Sequence, residues 1–194
     1  AGVSYTVGRE SSATYGEPKN GNQPRHMRER PKPVGHDFFL AVDPYVRPGD
    51  PSSGTIFGVP AAGAGVEGTA DGSVQAYCFR LCMTDVPENR LPWPKPADYD
   101  PARYELLARY LNSDQRLPEW PTGRDEVEHP VFGHSLLAVP PTVIMPNRKT
   151  DSNTKGAVSF NFIGGNYEYP DGDHATRERI FREHVSWQQG LIWF

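Results

Sequence analysis

Prolines and glycines interrupt this chain so often that few uninterrupted runs remain from which to build helices or strands. They number 20 and 19, together about a fifth of the 194 residues. Proline removes a backbone donor and stops helices, and glycine favours turns. The proportion stays below the ~25–30% of low-complexity disorder. Aromatic residues, at 11%, supply bulky apolar surface for a core. The expectation is a folded, loop-rich single domain over 1–194, in which only the longest apolar runs form regular elements.

Charge narrows the function classes. The formal net charge is −4, with no clustered basic surface to gather phosphates, so no nucleic-acid partner is expected. No run approaches the ~20 apolar residues that span a bilayer, and no signal peptide is visible. The chain does not begin with Met and ends on Leu191-Ile192-Trp193-Phe194. Both ends read as cuts in a longer protein. The compartment is not fixed by these features.

Between the breakers, residues 2–8 (GVSYTVG) and 36–42 (HDFFLAV) read as short strands. Residues 74–84 (VQAYCFRLCMT) alternate most clearly and place Arg80 on a face otherwise small and apolar. Asp100-Pro101 pairs an N-cap acid with a first-turn proline, and the helix they open runs to Leu111 with Tyr104, Leu107 and Leu111 on one face. Residues 135–145 read as a strand broken by Pro140-Pro141, and 157–164 (AVSFNFIG) as a further strand. Asp173 caps a last helix whose stripe is Phe181, Val185, Gln188 and Ile192, flanked by Ile180, His184 and Leu191. This order predicts an α+β fold with a mixed or antiparallel sheet, two main helices and long Pro/Gly-rich loops.

Residues 63–68 (GAGVEG) match G-x-G-x-x-G, but a turn follows where a phosphate-binding helix would have to start, so the match reads as a decoy. On one strand face Cys78 and Cys82 would lie ~13 Å apart, beyond the ~7 Å a disulfide allows; they read as free thiols. The six histidines have no metal-ligand spacing, no metal is expected, and no G-x-S-x-G elbow exists. The densest polar cluster is 147–153 (NRKTDSN). Its amides, cation and carboxylate would suit a substrate with several hydroxyls; a solvated turn is the simpler reading. The same alternative holds for Gly164-Gly165-Asn166-Tyr167.

Several blocks, in order, resemble a large family of bacterial FAD-dependent oxidoreductases. They are residues 1–17, 42–54, 75–84, 91–111, 147–153, 162–180 (FIGGNYEYPDGDHATRERI) and 184–194 (HVSWQQGLIWF). The resemblance implies a middle portion, a substrate or cap domain that lacks the Rossmann FAD-binding half. Its partners would be that half of the same chain and a small-molecule substrate, in a soluble bacterial protein. It implies a role in covering the flavin and orienting a polar, polyhydroxy substrate for hydride transfer. Lys149 and Asp151 would be the catalytic candidates. Arg80, Asn147, Asn153, Asn166 and Tyr167 would bind substrate. FAD is expected in the full-length protein and not on this segment alone, which is expected to be inactive. The alternative is a free-standing carbohydrate-binding or docking module without catalysis, with Trp93, Trp120, Tyr167 and Tyr169 as stacking candidates.

Overall fold

The computed structural model describes residues 2–24, 38, 41–84, 86–113, 145–152 and 157–194, with only the backbone of 150–152. Its regular elements are α1 (Ser12–Tyr15), β1 (Leu81–Thr84), α2 (Glu105–Leu111), β2 (Lys149–Ser152) and α3 (His174–Trp193). Short 3₁₀ turns at Pro51–Ser53, Pro87–Asn89 and Pro101–Tyr104 each begin on a proline.

Both main helices start where the sequence places them. The Asp100 carboxylate accepts from Ala102 N at 2.9 Å, and Pro101 opens the 3₁₀ turn that leads into α2. Asp173 accepts from Thr176 N at 2.8 Å and caps α3. The buried faces differ from the periodic reading. On α2 the buried residues are Leu107 and Tyr110, in line with Tyr104, while Leu111 is exposed. The 3₁₀ start sets a spacing of three, which turns Tyr110 inward in place of Leu111. On α3 the buried line is Ile180, His184, Trp187, Gln188 and Leu191, and Phe181 stands half exposed. The residues expected to flank the stripe are its centre, because the stacking of Trp187 sets the rotation of the helix.

The core joins Tyr104, Leu107 and Tyr110 to Val158, Phe160, Trp187 and Leu191. Tyr104 lies so close to α3 that its hydroxyl donates to Trp187 O at 3.1 Å. A methyl group on Gly190 would overlap that hydroxyl. Burial pushes the Tyr104 phenol up to about 12.

The expected sheet is not supported. Among the described residues the strands form one short antiparallel ladder, with Leu81 opposite Ser152 and Thr84 opposite Lys149. Residues 2–8 are mostly exposed and lack ladder partners, and 157–164 bend and turn. Most of 36–42 and 135–145 lies outside the described residues. The long segment before β1 meets its backbone needs with side chains instead. Gln188 accepts from Phe79 N at 2.9 Å and donates to Phe79 O at 2.7 Å. Asn166 Nδ2 donates to Gln75 O at 2.6 Å. An amide side chain offers the same donor and acceptor as a neighbouring strand, so the segment is extended without joining a sheet.

A second cluster ties distant parts of the chain mainly through backbone. Gly68 O accepts from Ser12 N at 2.9 Å, and Gly68 N donates to Asn22 O at 2.7 Å. Asn22 N donates to Thr69 O at 2.8 Å. Gly21, at φ +75°, is needed there because a Cβ would sit 2.7 Å from Gly68 O. Beside it the Arg9 guanidinium bonds Asp71 and holds that carboxyl down at about 2.

Gly190→Ala is expected to lower stability by about 1–3 kcal/mol through overpacking, measured by denaturant unfolding. Adding Tyr104→Phe should recover part of the loss, since it removes the atom in the way. The Arg9–Asp71 link has a defined pH window. The folded carboxyl lies below its unfolded value of ~3.9, so its stabilisation is present above that value and is lost as pH falls through about 2. A carboxyl NMR titration should find Asp71 at the depressed value, and Arg9→Met should return it toward ~3.9.

Candidate functional site

Three aromatic rings on three separate segments lie nearly parallel. Phe162 and Trp187 are 5.2 Å apart at 11°, and Phe57 stands 6.0 Å from Phe162 at 22°. Beside them is a cavity of about 490 Å³, lined by these rings, Arg103, Leu107 and the 157–165 turn. The volume falls within the usual range for small-molecule sites.

Each segment reaches the cavity for a local reason. Trp187 is fixed on α3 by donating Nε1–H to Ser159 O at 3.2 Å. Phe162 lies across the turn that follows it. A Cβ on Gly165 would sit 2.5 Å from the Phe162 ring, and Gly164 turns the chain at φ +84°. Arg103 comes from the 3₁₀ turn ahead of α2. Its guanidinium lies 5.3 Å from the Phe57 ring and 5.5 Å from Phe162.

The electrostatics of the cavity centre on that guanidinium. Arg103 donates to Ser186 Oγ at 3.3 Å, and Ser186 Oγ donates to Asp98 at 2.7 Å. The direct Arg103–Asp98 separation is 4.0 Å and Asp98 is 67% exposed, so water screens its counter-charge. Arginine stays protonated at any ordinary pH. The cavity thus combines flat apolar walls with one cation, and adds the polar side chains of Ser159 and Asn161. That arrangement can hold a planar or apolar body and a negatively charged or strongly polar group on the same ligand.

Among the described residues, none of the candidate site residues singled out from the sequence lines this cavity. Lys149 begins β2 with its side chain exposed, and the backbone of Asp151 stands opposite Cys82. Asn147 and Arg148 both adopt left-handed backbone, at φ 64° and 56°, in the turn into β2. Asparagine tolerates that conformation better than most residues. Arg80 is exposed just before β1. Asn166 is fully buried and ties its turn to Gln75, while Tyr167 beside it is exposed. Asn153 and Trp120 lie outside the described residues. Trp93 donates its N–H to Gln189 O at 2.9 Å, and Tyr169 meets Tyr77 edge-on. Cys78 and Cys82 are free thiols, and burial pushes the Cys78 thiol up.

Sequence reasoning missed Arg103, Phe57 and Phe162 as cavity residues. Arg103 was legible only as a cation next to the expected core residue Tyr104. Nothing local marks Phe57.

Across its whole length, residues 1–194, the chain matches the family described as FAD dependent oxidoreductase. It belongs to that family. No curated protein and no solved structure matches it. Membership makes FAD the relevant cofactor, and the FAD diphosphate needs free backbone N–H groups at a glycine-rich junction between strand and helix. The described residues of this FAD-oxidoreductase chain do not fit that demand. No helix follows 63–68, and Gly68 N is spent on Asn22. The α3 N-terminus carries the Asp173 carboxylate, whose negative charge opposes a phosphate. No group of three or more His, Cys, Asp or Glu is placed to hold a metal among the described residues. Among them, too, no helix is long and apolar enough to cross a membrane.

Gly165→Ala should displace the Phe162 ring from its stack on Trp187. The expected outcome is a changed Trp187 fluorescence and a loss of about 1–3 kcal/mol in unfolding.

Proposed function

We propose that this chain forms the substrate-binding part of an FAD-dependent oxidoreductase. The observation that carries the reading is the aromatic cavity with the Arg103 guanidinium in its wall. In such enzymes the flavin carries the redox chemistry, while protein groups bind and orient the substrate. The FAD-binding portion of the same protein would lie against this part. Here Phe57, Phe162 and Trp187 hold the flat or apolar body of the substrate, and their packing keeps water from it. Arg103 holds a polar or anionic group and fixes the orientation. The polar cluster at 147–153 supports a second, more polar contact, in which Lys149 meets a substrate oxygen and Asp151 accepts from a hydroxyl. A polyhydroxy substrate rests on that cluster alone; the cavity favours an aromatic or apolar acid.

Anaerobic bleaching of the flavin in the full-length protein separates these possibilities. The reductants would be a panel of aromatic and aliphatic 2-hydroxy or 2-amino acids, oxidised at the α carbon as the flavin takes the hydride, and polyols. An aromatic or apolar acid should bleach it. Arg103→Met should raise the concentration required by about 10–100-fold, the loss of a charged hydrogen bond, and leave the limiting rate nearly unchanged. Lys149→Ala and Asp151→Ala should lower the limiting rate without changing Tm. Bleaching by polyols alone, insensitive to Arg103→Met, would move the site to the polar cluster. Kinetics unchanged in all three variants would overturn both assignments.

A further inference from the structure

Among the described residues the Arg103 guanidinium is held through one nitrogen only. Nη1 donates to Ser186 Oγ at 3.3 Å and stands 4.0 Å from an Asp98 oxygen. The buried Ser186 hydroxyl is itself turned by Asp98, to which it donates at 2.7 Å. Spending its proton there leaves its lone pairs for Nη1. Neither Ser186 nor Asp98 lines the aromatic cavity, whereas Arg103 does.

The opposite edge of the guanidinium carries Nε–H and Nη2–H. The three nitrogens are spread evenly about Cζ, so this edge faces directly away from Nη1 and its two partners. No acceptor among the described residues meets Nε or Nη2. A cation with one arm tied and a two-pronged edge open has a specific complement. Two parallel N–H groups match the two oxygens of a carboxylate. A lone hydroxyl or carbonyl would occupy one prong and leave the other unmet. A phosphate monoester brings about −1.5 to −2 charge, and among the described residues Arg103 is the one charged side chain in the cavity wall. A single negative charge balances it. The Phe57 and Phe162 rings lie 5.3 and 5.5 Å from the guanidinium, which suits a carboxylate borne close to a flat or apolar body.

We propose that the Nε–Nη2 edge of Arg103 takes a monocarboxylate through two parallel hydrogen bonds, and that Ser186 is the positioning residue that turns this edge to the cavity. The proposal rests on the substrate-binding reading of this cavity; it names the group the substrate carries and the residue that sets how that group is held.

Benzoate is the probe, and benzamide its neutral counterpart of the same shape. Each is titrated calorimetrically into the full-length flavoprotein with the flavin oxidised. Benzoate has no hydride to give at its α carbon, so binding is read apart from turnover, and a flavin that no acid bleaches would fail the oxidoreductase reading without touching this result. Benzoate should bind at least tenfold tighter than benzamide. Arg103→Lys keeps the charge and removes the fork, and should weaken benzoate about tenfold. Ser186→Ala should weaken benzoate about fivefold, the net worth of one hydrogen bond, and leave benzamide unchanged, whereas a loosened cavity would weaken both. Should either variant fail to fold, the Arg103 Nε–H resonance of the wild type decides, and benzoate should move it downfield. Equal affinity for benzoate and benzamide, benzoate held as tightly by Arg103→Lys as by the wild type, benzoate binding unchanged or lost together with benzamide in Ser186→Ala, or an unmoved Nε–H would each overturn the proposal.

Discussion

The packing of this protein turns on one indole. Trp187 stacks between Phe162 on one side and Tyr104, 5.1 Å away, on the other, with Phe57 alongside. Its N–H holds Ser159 O and its own carbonyl receives the Tyr104 hydroxyl. One side chain therefore fixes α3 against the start of α2, the 157–165 turn and the loop at Phe57. Aromatic pairs of this kind contribute about 0.5–1.5 kcal/mol each beyond their buried area. In a chain with little regular secondary structure among its described residues, such a hub substitutes for a layered core. It also builds the Arg103 cavity, since Phe57, Phe162 and Trp187 both pack on one another and line the space.

Backbone hydrogen bonding follows the same logic. A chain broken so often by proline cannot run long ladders, yet buried peptide groups still need partners. Gln188 and Asn166 supply them from side chains, and the 68–71 stretch supplies them to 9–22 through close glycine approaches. This leaves extended chain without a sheet.

Much of the helical part was legible in the sequence, because caps act locally. Asp100-Pro101 and Asp173 each need only the next few residues to do their work. The sheet was not legible, because alternation in 74–84 reports which side chains are covered and not what covers them. The cover is α3, through Gln188, more than 100 positions away along the chain. The face of α3 was read one position off, since periodicity counts apolar residues evenly and the structure weights them by what they stack on. As for the sites, the polar cluster at 147–153 drew notice because polarity is visible locally. The cavity around Arg103 is an arrangement of four separated segments, and no local pattern encodes it. The glycine pair 164–165 was legible as a turn, but its clearance for Phe162 was not.

Arg103 meets the aromatic walls through a flat, delocalised cation, and this joins two properties that are often separable. Lysine would keep the positive charge at this position but not the plane, the stacking on Phe57 and Phe162, or the forked set of donors. Sign of charge alone is then a poor guide to which relatives share this cavity. A sequence drifting from arginine to lysine here would look conservative on paper and would change the shape of the space as much as its field.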